Sequence, residues 1–148
     1  MKVSEAMTRD VRVANPGETV QQAARTMARL DAGALPVGEG GRLVGMITDR
    51  DIAIRAIAEG KGPDVPVREV MSKEVKYCFD DQNVEEVTRN MGDLQVRRLP
   101  VLDRDKRLVG ILSLGDVATR VAGTAAAGAL NKISRRGGAH TQTGGQGQ

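Results

Sequence analysis

Two short stretches of the chain carry a hydroxyl and, three residues later, a carboxylate, where an apolar run meets a helix-like segment. They are Thr48-x-x-Asp51 and Ser113-x-x-Asp116. One interpretation is helix capping, in which the hydroxyl accepts from free backbone N–H groups and the acid favours the positive helix end. The other is a binding site, because such a helix start holds a phosphate while aspartate accepts two hydrogen bonds from a ribose diol. The second interpretation predicts a nucleotide.

Both stretches belong to an internal duplication. The segment GRLVGMITDRD returns as KRLVGILSLGD, and the match extends from residues 3–37 onto 67–101 and from residues 42–56 onto 107–121. Self-similarity of this kind indicates two copies of one structural unit. The sequence therefore predicts the following segments: a first repeat at 3–57, a polar linker at 58–66, a second repeat at 67–122, and a Gly/Ala/Gln-rich tail at 123–148 that is at least partly disordered.

Each repeat predicts the same order of elements. After a short opening turn come an extended stretch, a helix with apolar residues at helical spacing, two short strands joined by a turn, and a second helix. The extended stretches are 11–13 and 75–77, the first helices run from Val20 and Val84, the strand pairs are 34–37 with 43–47 and 99–102 with 108–112, and the closing helices begin at Asp49 and Leu114.

The charge of the chain argues against a nucleic-acid binder. Lysine and arginine exceed aspartate and glutamate by 22 to 19, but Lys132, Arg135 and Arg136 follow residue 122 without any acid. The repeats themselves therefore carry no net charge. Tyr77 and Phe79 are the only aromatic residues, too few for the stacking platforms of single-strand binders.

Cysteine, histidine and apolar runs exclude several further classes. A single cysteine, Cys78, forms no internal disulfide, and the one histidine, His140, lies far along the tail, so we expect neither a metal site nor a catalytic base. No run approaches the ~18 apolar residues of a membrane span, and the N-terminus lacks the apolar core of a signal peptide. We expect a reduced, cytoplasmic protein without catalytic residues.

The repeats resemble a tandem pair of cystathionine beta-synthase (CBS) domains, called a Bateman module. The resemblance rests on the VxxxM[TS] opening, the LPV strand and the LVG ending that runs into [TS]-x-x-D, all present in both copies. It implies an α/β (α+β) fold of two β-α-β-β-α units related by a pseudo-twofold axis. It also implies a stand-alone, bacterial-type regulatory protein whose clefts take AMP, ATP or NAD(H), and a disc-like homodimer. The ribose and phosphate positions would be Thr48, Asp51, Ser113 and Asp116.

Arginines distinguish the two clefts. Gly33-Ala34 of the first repeat becomes Arg97-Arg98 in the second. The guanidinium group suits phosphate oxygens, and in nucleotide-binding relatives a basic residue before this strand faces the phosphates, so the resemblance extends that role to Arg98 and Arg97. The alternative is a pair of solvated strand-edge charges. Arg50 either supplies charge to the phosphate region or forms a surface ion pair with Asp49 or Asp51.

The adenine pocket is expected beside the extended stretches. Backbone groups of an extended segment read the edge of the base, and aliphatic side chains bury its faces. The candidate residues are Val11, Val13, Leu35 and Pro36 in the first repeat and Val75, Tyr77, Leu99 and Pro100 in the second. Tyr77 or Cys78 either touches the base or simply packs in the strand.

Taken together, the residues predict a regulatory adenine-nucleotide sensor without catalytic activity, acting on an effector that the sequence does not identify. The chain contains no phosphate-binding GxxxxGK[ST] motif. Two alternatives stay open besides a nucleic-acid binder: a structural or partner-binding module with no physiological nucleotide, and a nucleotide-processing enzyme.

Overall fold

A computed structural model describes residues 1–120 as a mixed α/β protein, which confirms the predicted class. The chain divides into two compact units. The continuous unit consists of Arg12–Val75, and the split unit combines Met1–Val11 with the described residues from Lys76 onward. The predicted tail at 123–148 lies outside the described residues.

The elements follow one another in nearly the same order in both repeats. In chain order they are α1 (Val3–Ala6), α2 (Val20–Leu30), β1 (Ala34–Glu39), β2 (Arg42–Thr48), α3 (Asp49–Asp51) continued by a π-helical stretch (Ile52–Ile57), a 3-10 turn (Val67–Glu69), β3 (Cys78–Phe79), α4 (Val84–Leu94), β4 (Arg98–Leu102), β5 (Leu108–Ser113) and α5 (Leu114–Arg120).

The long helices begin where the apolar spacing predicts. Thr19 caps α2 reciprocally with Gln22, each side chain accepting from the other's backbone N–H. Asn83 caps α4 by accepting from the N–H groups of Glu85 and Glu86. Such caps satisfy donors that have no partner within the helix. The predicted helix starts at Val20 and Val84 are confirmed.

The predicted strand pairs are confirmed, whereas the first strand of each repeat is shorter and later than expected. Strands β1 and β2 pair antiparallel, as do β4 and β5. In the first repeat a strand was expected at 11–13, but the bridge to Val37 is made by the next residue, Ala14. In the second repeat a strand was expected at 75–77, but β3, which pairs in parallel with β4, begins one residue later. Val13 and Tyr77 are exposed, so the chain reaches the sheet only after them.

The opening segment of each repeat packs on the body of the other repeat. Val3, Ala6 and Met7 lie in the core of the split unit, among side chains of α4, β4 and β5. Val67 and Val70 lie in the core of the continuous unit. The predicted linker 58–66 is part of the continuous unit as well, since the N–H of Val20 donates to Val65. The repeat boundaries stay predictions about the sequence, because the compact units group the residues differently.

An arginine in the last helical stretch of each repeat holds the opening segment of the other repeat. In the split unit, Arg120 Nη1 donates to the carbonyl oxygens of Ala6 at 2.8 Å and Met7 at 2.9 Å. In the continuous unit, Arg55 Nη1 donates to Val70 at 3.3 Å and Met71 at 3.4 Å. These carbonyls end a short helical turn and lack partners within it. We call each arginine with its two carbonyl acceptors an arginine clamp. The hydrogen bonds of the clamp in the split unit are the shorter ones.

We expect Arg120→Met to lower the free energy of unfolding by about 1–2 kcal/mol, because two short charge-assisted hydrogen bonds are lost while the aliphatic stem is kept. Urea denaturation followed by circular dichroism measures the change. Arg55→Met should cost less, because its bonds are longer. Arg25→Met, on the exposed face of α2, serves as the control; a loss at Arg25 equal to that at Arg120 would contradict the clamp.

Candidate functional site

The junction of β2 and α3 forms a closed capping box. Thr48 Oγ1 accepts from the N–H of Asp51 at 3.0 Å, and Asp51 Oδ2 accepts from the N–H of Thr48 at 3.0 Å. The other carboxylate oxygen, Oδ1, lies 4.0 Å from Arg55 Nε. The capping interpretation is thus confirmed here. A ligand role for Thr48 and Asp51 stays a prediction, because ligand hydroxyls would have to compete with these internal donors.

The corresponding junction of β5 and α5 is arranged differently. Ser113 Oγ accepts from the N–H of Asp116 at 3.1 Å, so half of the capping box is present. The carboxylate, however, turns to another segment: Asp116 Oδ2 accepts from the hydroxyl of Thr8 at 3.0 Å. Asp116 is half-buried, as Asp51 is, but its carboxylate is held by another segment and that of Asp51 by its own junction.

Thr8 is the residue that sequence reasoning missed. The VxxxM[TS] opening places a hydroxyl at Thr8 and at Ser72, and this pattern was the available signal. Nothing in it indicates that Thr8 lies beside Asp116, more than one hundred residues away in the chain. Ser72 occupies the equivalent place in the continuous unit, but its hydroxyl donates to the carbonyl of Glu74 at 3.4 Å.

The predicted phosphate arginines occupy different environments. Arg98 lies directly opposite Ser113 in the antiparallel ladder, so the two side chains share a face of the sheet, and Arg98 is exposed. Arg97 is half-buried, and its carbonyl accepts from the N–H of Leu114. Arg50 is exposed; the ion pair found at Asp51 in the described chain involves Arg55. A phosphate role for these arginines stays a prediction.

The residues predicted to surround adenine range from core to surface. The buried ones are Leu35, Pro36, Leu99 and Pro100, the half-buried ones are Val11 and Val75, and the exposed ones are Val13 and Tyr77. The two leucines belong to the cores of their own units. The Tyr77 ring packs edge-on against Phe79 with 5.5 Å between centroids. Tyr77 is exposed and precedes β3, so within residues 1–120 its ring packing is limited to the Phe79 ring. Contact of the candidate residues with a base stays a prediction.

The burial and the pKa of Cys78 both differ from those of a nucleophilic cysteine. Its side chain is buried, and its Sγ lies 3.9 Å from the carbonyl oxygen of Pro100. Burial, aided by the charge of Asp80, raises the pKa of the Cys78 thiol to about 12. The thiolate, which is the reactive form, is therefore scarce at neutral pH.

We expect Cys78 of the folded protein to react with Ellman's reagent at pH 8 far more slowly than Cys78 of the urea-unfolded chain. The thiol pKa rises from 9.0 to about 12 on folding, so above pH 9 the unfolded chain loses this proton first. The free energy of unfolding should consequently fall as the pH rises from about 9 to about 12. Cys78→Ala should remove this part of the pH dependence; equal reaction rates in both states would contradict the burial of the thiol.

A surface cleft of about 290 Å³ lies beside the capping box of the continuous unit. It is lined by Ala24, Met27, Ala28, Asp31, Ala32, Gly33, Asp49 and Ile52. None of the predicted site residues lines it. At the positions equivalent to Asp49 and Ile52, the split unit has Leu114 and Val117, which are buried.

The described residues limit two other kinds of site. Between residues 1 and 120, no group of three or more histidine, cysteine, aspartate or glutamate side chains is placed to hold a metal ion. Over the same residues, the structure has no helix with the length and hydrophobicity needed to cross a bilayer.

Comparison with protein-family models finds the CBS domain twice in the chain, at residues 3–57 and 67–123. A CBS domain-containing protein of Bacillus subtilis, YhcV, is 42% identical over 135 residues, covering 90% of this chain and 96% of the relative.

Three solved structures with the same fold contain bound metal ions or adenosyl compounds. Hypoxic Response Protein I, with two coordinated zinc ions, aligns with a TM-score of 0.73 and 35% identity, covering 82% of this chain and 99% of that one. CBSX2 in complex with AMP aligns with a TM-score of 0.71 and 27% identity, covering 82% of this chain and 96% of that one. The CBS domain pair of MJ0100, in complex with 5'-methylthioadenosine and S-adenosyl-L-methionine, aligns with a TM-score of 0.69 and 27% identity. The alignment covers 83% of this chain and 97% of that one.

Proposed function

Because the chain belongs to the CBS domain family, we propose that it is a regulatory protein that binds an adenosyl ligand and has no catalytic activity of its own. The observation that carries the proposal is the junction of the split unit, where Asp116 and Ser113 stand side by side at a strand-to-helix turn. The complexes of CBSX2 and MJ0100 with adenosyl compounds support this ligand class.

In the proposed complex, the carboxylate of Asp116 accepts hydrogen bonds from the ribose diol. Charge-assisted bonds of this kind are roughly twice as strong as neutral ones. Arg98, on the sheet face it shares with Ser113, then provides positive charge for a phosphate, if the ligand has one. A sulfur-linked adenosyl ligand would use the carboxylate and not need the arginine.

A second ligand position is proposed at the junction of the continuous unit. Thr48 and Asp51 would contact the sugar there after opening the capping box, with Arg50 near the phosphates. Because breaking the capping box costs free energy, we expect this position to bind the ligand with the lower affinity. Arg97 and the residues named above as neighbours of the base complete the proposal; the base neighbours are Val11, Val13, Leu35, Pro36, Val75, Tyr77, Leu99 and Pro100.

Mass spectrometry of the purified, then denatured, protein tests the proposal directly by identifying any adenosyl compound carried through purification. Thermal unfolding with AMP, ATP, NAD(H), S-adenosylmethionine and 5'-methylthioadenosine is the companion measurement. A ligand at 100 times its dissociation constant adds about 2.7 kcal/mol to the free energy of unfolding. No rise in Tm with any of these compounds would contradict the proposal.

A partner-binding module without a physiological nucleotide is the second candidate. The closed capping box of the continuous unit favours it, because both side chains already serve their own backbone. This candidate predicts no ligand-dependent stabilisation. A nucleotide-processing enzyme predicts instead that ATP or NAD is converted during incubation, and chromatography of the nucleotide pool distinguishes it from a sensor.

The homodimer and the cytoplasmic location belong to the proposal as well. Ile54 and Ile57, on the π-helical stretch after Asp51, are 51% and 61% exposed and provide apolar surface for a second copy. Isolated exposed apolar residues are common, so it is their closeness on one helical stretch that supports an interface.

A further inference from the structure

Thr8 is held rigidly beside the junction of the split unit. Its backbone pairs with Ile111 of β5 in both directions, with N···O distances of 2.8 Å and 2.9 Å. The preceding carbonyls, of Ala6 and Met7, accept from Arg120 of α5. Because the backbone is tied to both β5 and α5, the hydroxyl of Thr8 has few directions open to it.

From this fixed position, the hydroxyl of Thr8 contacts the carboxylate of Asp116. It donates to Asp116 Oδ2 at 3.0 Å, while the N–H of Asp116 donates to Ser113 Oγ. The carboxylate oxygen Oδ2 is thereby anchored to the opening segment. An anchored side chain loses less rotamer freedom when a ligand binds, which favours affinity.

The continuous unit provides an internal comparison. Ser72 pairs with Met46 by the same two backbone bonds, at 2.8 Å and 2.9 Å. Its hydroxyl nevertheless donates to Glu74, and Asp51 accepts from Thr48 instead. The same backbone arrangement therefore orients a carboxylate across segments in one unit and not in the other.

We propose that Thr8 is a positioning residue for Asp116, which makes the junction of the split unit the preorganised ligand site. The inference rests on the proposed function and adds to it a residue from the opening segment of the other repeat. Ligand binding at Asp116 is consequently linked to the docking of residues 1–11.

The test compares Thr8→Val, Thr8→Ser and Ser72→Ala in the full chain by isothermal titration calorimetry with AMP and with 5'-methylthioadenosine. Valine keeps the shape of threonine but removes the donor, so the affinity should fall about tenfold, roughly the worth of one hydrogen bond to a charged group. Thr8→Ser should restore most of the affinity, and Ser72→Ala should bind as the parent protein does.

A second readout follows the coupling to the opening segment. In the parent protein, ligand should slow hydrogen exchange of the Met7 and Thr8 amides, and in Thr8→Val this protection should be lost. A Thr8→Val protein with unchanged affinity, or a Thr8→Ser protein no better than Thr8→Val, would overturn the inference. If the parent protein bound neither probe, the titrations would use the adenosyl compound that raises its Tm. If none of the five compounds raised its Tm, the proposed function would fail first, and this inference with it.

Discussion

Asp116→Ala is expected to weaken binding of AMP or 5'-methylthioadenosine about 10- to 100-fold, and Asp51→Ala to weaken it less. The carboxylate of Asp116 would contribute charge-assisted hydrogen bonds to the ribose, each worth about 1.5–3 kcal/mol. In the folded protein Asp51 accepts from its own capping box, so its contribution to a ligand is smaller. Isothermal titration calorimetry on both variants measures the difference.

Asp64→Ala, on an exposed turn outside both junctions, is the matched control and should bind as the parent does. Because Asp116 also accepts from Thr8, the Tm of each ligand-free variant has to be recorded, and titrations run well below it. Equal losses from the two substitutions, or a larger loss from Asp51→Ala, would eliminate the argument for unequal sites.

Gly110→Ala is expected to lower the free energy of unfolding by about 2 kcal/mol, with a fall in Tm of about 4–8 °C. An added Cβ would lie 2.5 Å from Met7 Sδ and 2.9 Å from the carbonyl oxygen of Thr8. The methionine side chain can move, but the carbonyl cannot, since the backbone of Thr8 is paired with Ile111. Thermal unfolding followed by circular dichroism measures the effect.

The duplication provides a replicate of this experiment. At Gly45, an added Cβ would lie 2.7 Å from Met71 Sδ and 2.8 Å from the carbonyl oxygen of Ser72, so Gly45→Ala should cost about as much. At Gly62 nothing lies within 4 Å, and Gly62→Ala should leave the Tm nearly unchanged. A Gly110→Ala protein as stable as Gly62→Ala would show that the opening segment is not docked as described.

The helices and strand pairs were predictable because their signals are local. Apolar residues at helical spacing predict α2 and α4 without reference to the rest of the chain, and the structure adds local caps at Thr19 and Asn83. The antiparallel pairs follow from two short apolar runs joined by a turn. The first strands were placed too early, because a run such as 11–13 has strand-like composition whether or not a neighbouring strand is within reach.

The exchange of opening segments was not predictable from the sequence. Because the two repeats have matching residues, a segment such as VSEAM fits the body of either copy by composition alone. Only the chain path decides which body it reaches, and that is a non-local property. The partner of Asp116 was missed for the same reason, since Thr8 reaches it through this exchange.

By itself, the sequence determined the duplication, the α/β class, the main elements and the two hydroxyl–carboxylate junctions, because periodicity, capping and repetition are written in neighbouring residues. The tertiary structure alone decided how each junction is used: Asp51 closes on the backbone of Thr48, and Asp116 is held by Thr8. The physical reason is that a carboxylate takes the nearest well-aligned donor, and which donor is nearest depends on how distant segments pack.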